Sequence, residues 1–389
     1  MNYFDGFYFF SALIIVLVVY VLSKMRMRYK KESITAISLV FIVIIYSKSP
    51  RQLVFLILYL VLEWFNIKYY LRARAEHKRS KPHYYTSLAI ALAPLVINKL
   101  TEGNINLYAF LGLSYISFKT IGIIIEIYDG LIKEVTLKDY LPFMIFFPTM
   151  SSGPIDRYRR FSDDINTDLE KTEYYNLVGT GVFRLVLGYA YKFVISMILY
   201  KLLLKANEFT FVELAAYMYI YGFYLFFDFA GYSLMAVGAA NVLGIKTPMN
   251  FNFPFISLNI KDFWNRWHMS LSYWFRDFVF SRIVKNILKK KIFKNMSQIA
   301  FVSYVINMFI MGAWHGLSKS YLLYGLYHGL LLAINEVYEQ KSTFYKKYRD
   351  TKGYKLVSWF ITFQLVMFGF FIFSGRFAAT VNHIIQNWR

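Results

Sequence analysis

The chain has 389 residues, of which 57% are hydrophobic, 21% aromatic and only 17% charged, with a mean hydropathy of +0.40. Soluble domains carry about a quarter charged residues, so a single water-soluble globule is excluded. Lys plus Arg (44) exceeds Asp plus Glu (23) by 21, yet the cations cluster between apolar runs as in cytoplasmic loops rather than on a nucleic-acid surface, and the absence of cysteine rules out disulfides and an enzyme thiol nucleophile.

Several nearly uncharged stretches have the length a helix needs to cross about 30 Å of hydrocarbon. The first, 7–23, has no basic leader and no cleavage signal, and reads as an uncleaved span. Lys24, Arg26, Arg28, Lys30 and Lys31 follow it, which predicts a cytoplasmic loop there and an N-terminus outside. Further spans are expected at about 34–46, 52–65, 84–98 and 105–128. Between Asp129 and Asn176 the apolar pieces are broken by Pro142, Pro148 and Pro154 and followed by Arg157, Arg159 and Arg160. Such a segment is re-entrant or interfacial, and its irregular backbone needs cover from protein or a water-filled cavity.

Long spans are expected next at 181–204 and 211–243. The segment from Thr247 to Val284 is too polar to face lipid. Its Trp264, Trp267, Trp274 and Phe275 recur near helical spacing, with Arg266, Arg276 and Asp277 between them. An amphipathic interfacial helix is predicted there, carrying Trp264 and His268 on one face. Spans at 298–315, 320–338 and 356–375 close the chain. The stretches 24–31, 66–83, 129–163, 282–294 and 341–355, which alternation puts in the cytoplasm, hold 5, 6, 5, 6 and 6 Lys or Arg. The expected fold is an all-α polytopic membrane protein of about 10–11 spans, with re-entrant and interfacial helices around a central cavity. No repeat or linker divides it, so residues 1–389 read as one membrane domain.

Histidines supply the natural neutral-pH bases. Trp314-His315-Gly316 stands where an apolar span ends, and Tyr327-His328-Gly329 lies in the next. A histidine inside a membrane span is costly unless it pairs or lines a cavity, so each is either functional or a hydrogen-bonded bridge between helices. His268 sits in the run Phe263-Trp264-Asn265-Arg266-Trp267-His268-Met269-Ser270-Leu271-Ser272, which composition alone also allows to be an aromatic belt with basic anchors. Asp228 interrupts the apolar run Tyr224–Tyr232 and must pair with a cation or take up a proton. It either orients a histidine or serves a structural pairing. Glu63, Glu126 and Glu336 stand at span ends and are given no role. No phosphate-binding loop, His-Glu-x-x-His pair or Gly-x-Ser-x-Gly is present, and the three histidines lack the spacing for two ligands from one helix turn, so no metal site is expected.

The motifs Asp228-Phe229-Ala230-Gly231-Tyr232-Ser233, Gly244 to Asn252, Asp262 to Asp277 and Trp314-His315-Gly316 resemble, in order, the signature of the membrane-bound O-acyltransferase (MBOAT) superfamily. Gly153-Pro154-Ile155-Asp156-Arg157-Tyr158 and Tyr324-Gly325-Leu326-Tyr327-His328-Gly329 are similar to its branch that transfers D-alanine in Gram-positive envelopes. The likeness is dense from about 140 to 332. It implies that His315 is the catalytic histidine and His268 a second functional one. Asp228, His328, Arg266, Arg276, Asp277 and Asn265 are left as supporting candidates. The implied donor is D-alanine held as a thioester on the phosphopantetheine arm of an acidic cytoplasmic carrier protein, with no cofactor bound by this chain. The implied product is D-alanylated lipoteichoic acid outside the cell (plasma) membrane, with other membrane proteins of the same system as partners and no role for nucleic acid. Arg157, Arg159, Arg160, Lys285, Lys289 and Lys290 are candidates to steer the carrier, alongside their role in orienting the chain in the lipid membrane. An O-acetyltransferase acting on an exported polysaccharide and a non-catalytic transporter or flippase are the other readings open at this point.

Overall fold

The computed structural model describes residues 7–22, 30–101, 110–206, 209–293 and 295–387. Lys24, Arg26, Arg28, Lys294 and the start of the span expected at 105–128 lie outside the described residues. The described residues form α-helices with short 3-10 and π segments and no strand. Two compact units emerge, Met1–Tyr189 with Tyr232–Met249, and Ala190–Gly231 with Asn250–Arg389.

The first unit holds α1 (Phe7–Leu22), α2 (Lys30–Tyr46), α3 (Pro50–His77), α4 (Lys81–Leu100), α5 (Leu113–Asp129), α6 (Leu137–Ile145), α7 (Tyr158–Asn166) and α8 (Lys171–Tyr189). Pro50 opens α3, where a missing N–H costs nothing. The broken stretch after α5 behaves as the proline pattern requires: α6, a 3-10 turn at Phe147–Thr149 and an irregular strip to Arg157 are covered by protein, with Phe146, Phe147, Met150 and Ile155 all buried. Buried Lys119 donates to the Phe143 carbonyl oxygen at 2.8 Å, satisfying an acceptor near the end of α6.

The second unit holds a π segment (Ala190–Ile195) continuous with α8, then α9 (Ser196–Leu203) and the first part of α10 (Phe211–Val242). It continues with α11 (Ile260–Trp264), α12 (Met269–Phe275), a π segment (Arg276–Phe280), α13 (Ser281–Lys289), α14 (Met296–His315), α15 (Lys319–Lys341), α16 (Thr343–Tyr348), α17 (Lys352–Phe373) and α18 (Arg376–Asn387). Asn295, Ser318, Ser342 and Thr351 cap α14 to α17 by accepting a backbone N–H of the first turn, the residue types expected there.

Among the described residues, five helical stretches are long and apolar enough to cross a membrane: Pro50–His77, Lys171–Leu203, Phe211–Val242, Met296–His315 and Lys352–Phe373. The spans expected at 34–46, 84–98 and 320–338 are also helical, within α2, α4 and α15. Rows of outward apolar side chains, such as Val54, Ile57, Leu58, Val61, Leu62 and Phe65 on α3, have no place in water. The chain is an all-α polytopic membrane protein.

The predicted continuous amphipathic helix through 264–275 is corrected. The chain leaves the helix after Trp264, and His268 takes a left-handed backbone (φ 43°, ψ 51°) before α12 begins. Trp264 and His268 therefore share no helical face. The backbone of the break finds partners elsewhere: Asn252 N–H donates to the Arg266 carbonyl (3.0 Å), Met269 N–H to the Asn250 carbonyl (2.9 Å), and Ser270 Oγ to Asn250 Oδ1 (2.6 Å). These bonds offset the roughly 1–2 kcal/mol cost of a left-handed non-glycine residue.

Helices α14 and α15 cross where both lack side chains. A Cβ on Gly325 would stand 2.5 Å from the Met308 carbonyl oxygen and 3.0 Å from Gly312 Cα, and Gly329 meets Val305 Cα at 3.0 Å. Gly325-x-x-x-Gly329 is the small-residue spacing that lets membrane helices approach closely. Gly325→Val is expected to push the pair apart at a cost of about 1–3 kcal/mol, seen as a lower thermal midpoint in detergent. An unchanged midpoint would mean that the crossing is not tight.

Candidate active site

His315 ends α14 and is half-buried among aromatic rings: Trp314 at 4.5 Å, Phe373 edge-on at 5.0 Å, Tyr321 at 6.0 Å and Tyr324 at 6.3 Å between centroids. The adjacent Gly316 permits this approach, because a Cβ there would lie 2.7 Å from the Tyr321 ring. His268 is 4% exposed and meets the Phe229 ring edge-on at 4.7 Å. Trp267, its neighbour, packs on Phe251 (5.0 Å) and Phe370 (4.7 Å). His268 lies in the turn between α11 and α12, and burial, with a smaller contribution from nearby His315, pushes its imidazole down to about 3. It is neutral at physiological pH, and the two motif histidines are brought within electrostatic reach of one another.

His328, on α15, is fully buried. Its ring lies 4.6 Å from Tyr324 and 5.3 Å from Trp264, and it occupies the space left by Gly369, where any Cβ would overlap Nε2. Tyr324 precedes it by one helical turn and so faces both His328 and His315. His268 Nε2, both ring nitrogens of His328 and Trp264 Nε1 are buried without a hydrogen-bond partner among the described residues. Unpaired polar atoms are costly inside a protein, so each of these four offers a hydrogen bond to an incoming polar group. A cavity of about 280 Å³, lined by Lys261, Trp264, Asn265, Arg276, Tyr304 and Asn307 among others, abuts the Trp264 wall.

The supporting candidates divide. Arg266 is held by Asp262 (2.7 Å) and donates to the Asn252 carbonyl (3.3 Å), which makes it a brace of the turn that presents His268. Arg276 and Asp277 are exposed and paired at 2.9 Å, with the guanidinium over the Tyr273 ring at 4.6 Å. Asn265 is exposed at the cavity wall. Asp228 accepts from Lys192 at 2.7 Å, so it pairs with a cation, a lysine from the π segment. The role of Lys192 was missed, although it interrupts one apolar span as Asp228 interrupts another. Glu336, given no role, joins Glu339 in holding Lys261 at 2.8 and 2.9 Å. Burial opposes the charge on Lys261, but the hydrogen bonds it donates to both carboxylates outweigh that and raise the ammonium above its ordinary range.

Of the cations suggested to steer a carrier, Arg160 is engaged by Asp156, Asp164 and the Lys246 carbonyl, and Arg159 by Glu126 at 3.4 Å. Arg157 precedes α7 and is half-buried. Lys285, Lys289 and Lys290 are exposed on or just after α13, with no acidic partner among the described residues. No group of three or more His, Asp or Glu placed to hold a metal occurs among the described residues.

Two histidines within electrostatic reach of one another, one at a helix end and one in a left-handed turn, fit acyl transfer, and the chain belongs to the membrane-bound O-acyltransferase family, whose model matches residues 9–378. It is an acyltransferase. It is 41% identical to the teichoic acid D-alanyltransferase of Streptococcus thermophilus over 87% of this chain and 86% of that protein. It is 39% identical to the teichoic acid D-alanyltransferase of Bacillus subtilis over 97% of this chain and 98% of that protein. A third teichoic acid D-alanyltransferase, from Lacticaseibacillus rhamnosus, is 38% identical over 87% of this chain and 88% of its own length.

Proposed function

We propose that this chain transfers D-alanine from a phosphopantetheine thioester on an acidic cytoplasmic carrier toward lipoteichoic acid on the outer side of the plasma membrane. The observation that carries the reading is near-full-length identity of 38–41% to three teichoic acid D-alanyltransferases. His268 and His315, each packed on aromatic rings and within electrostatic reach of one another, supply the chemistry. His315 takes the proton from the acceptor hydroxyl as its oxygen attacks the thioester carbonyl carbon. Neutral His268, with Nε2 unpaired, donates a hydrogen bond to the carbonyl oxygen as it gains charge. The C–S bond then breaks, and the departing sulfur takes the proton held by His315, leaving an ester and the carrier's free thiol. Lys285, Lys289 and Lys290 attract the carrier from the cytoplasmic side, and the basic loops orient the chain with its N-terminus outside.

The test uses the purified protein with the other membrane proteins of the system in liposomes, supplied with carrier bearing radiolabelled D-alanine. Label is expected to leave the carrier and appear in an ester. A folded, carrier-binding protein that moved no D-alanine with every partner present, but moved acetyl groups instead, would sink the reading. His268→Asn, which tolerates the left-handed backbone, is expected to slow transfer about 100-fold by weakening stabilisation of the carbonyl oxygen. Single-turnover release of the carrier thiol measures it, and a rate within twofold of wild type would remove His268 from the chemistry.

A further inference from the structure

A cavity of about 910 Å³ lies within the second unit, and none of the rings packed on His268, His315 or His328 lines it. Its walls come from the later half of α15, from α16, from α17 as far as Leu365 and from residues 258–260. Its composition changes along its length. One end is apolar, with Leu331, Ile334, Ile361 and Leu365 from two membrane helices. The other end carries Tyr338, Tyr345, Tyr348 and Tyr354, with Arg349 and Lys355 beside them. Tyr338 and Tyr345 lie 5.6 Å apart, Tyr345 and Tyr354 6.0 Å, and Arg349 stands over the Tyr345 ring at 5.8 Å.

The charges at this mouth do not cancel. Glu339 is engaged by Lys261 at 2.9 Å and receives the amides of Asn259 and Asn335. Asp350 pairs with Arg349 at 3.5 Å. Lys355 has no acidic partner among the described residues, and the segment 341–355 that rims the cavity holds six Lys or Arg against one acid, Asp350. Tyrosine girdles and unpaired cations mark the water boundary of a membrane protein, and basic pockets between spans on that boundary suit anionic headgroups. The volume is at the upper end of that of small-molecule sites, enough for a headgroup and part of a chain.

We infer that this cavity is a binding site for an anionic glycerophospholipid. One acyl chain lies along Leu331, Ile334, Ile361 and Leu365, and the phosphate sits among the tyrosines beside Lys355. The site is separate from the transfer chemistry and does not depend on the identity of the donor.

The test titrates the delipidated full-length protein in detergent with dioleoylphosphatidylglycerol or dioleoylphosphatidylcholine and counts retained lipid by native mass spectrometry. Phosphatidylglycerol is expected to be held about tenfold more tightly than phosphatidylcholine. Lys355→Glu should weaken its retention about fivefold or more and leave phosphatidylcholine unchanged. Ile361→Trp, which fills the apolar end, should weaken both, while reversal of an exposed charge of the first unit by Lys48→Glu should change neither. Thermal midpoints establish that each variant is folded. Equal retention of the two lipids, wild-type retention by folded Lys355→Glu, or an equal loss in Lys48→Glu would overturn the site. Displacement of phosphatidylglycerol by millimolar inorganic phosphate alone would overturn the lipid assignment, because a bare anion site would then suffice.

Discussion

His315→Ala is expected to lower D-alanyl transfer about 1,000-fold, within the range that a positioned general base supplies, while insertion and thermal midpoint stay close to wild type. The two halves of this expectation rest on different observations. The loss follows because neither of the other two motif histidines can stand in: burial leaves His268, in the turn before α12, too weak a base to hold the proton, and His328 is sealed against Gly369. The preserved fold follows because the ring is half-buried at the last residue of α14, where its removal leaves no buried charge behind and the α14–α15 crossing is made by Gly312, Gly325 and Gly329. Transfer from radiolabelled carrier in liposomes measures the first and detergent melting the second. Residual transfer above about a tenth of wild type would mean that the acceptor is deprotonated by another group.

The residues around His315 were legible in the sequence because helix geometry is local. A histidine at the end of an apolar run, and Tyr324 four residues before His328, follow from the 3.6-residue period alone. The spans at 298–315 and 356–375 were readable for the same reason, and α14 and α17 fall on them. What could not be read was set by partners distant in the chain. Trp264 to Phe275 has helical spacing, but Asn250 and Asn252 supply the backbone bonds that let it break at His268. Asp228 plainly needed a cation, yet Lys192 lies 36 residues earlier and reaches it from a π segment that no residue pattern announced. Arg160 shows the converse. A basic cluster looks free to meet a partner until Asp156 and Asp164 are seen at one helical turn on either side of it.

Lys192→Met is expected to destabilise the protein by about 3–5 kcal/mol, and the double variant Lys192→Met with Asp228→Leu to recover most of that loss. The ammonium of Lys192 is 5% exposed within an apolar helical stretch long enough to cross the membrane, and it meets Asp228 on α10 at 2.7 Å. Removing one partner strands a carboxylate against hydrocarbon. Removing both leaves two apolar side chains of similar volume and no stranded charge. The π segment is part of the arrangement: its extra residue shifts the register of the helix at Lys192, and such bulges recur at functional sites. Unfolding in mixed detergent, followed by far-ultraviolet circular dichroism, measures the three variants against wild type. Strictly additive losses in the double variant would show that the pair is not coupled. Transfer activity separates the two roles left to Asp228. If it only joins helices, the double variant regains both stability and transfer. If it also orients the motif that presents Phe229 to His268, stability returns and transfer does not.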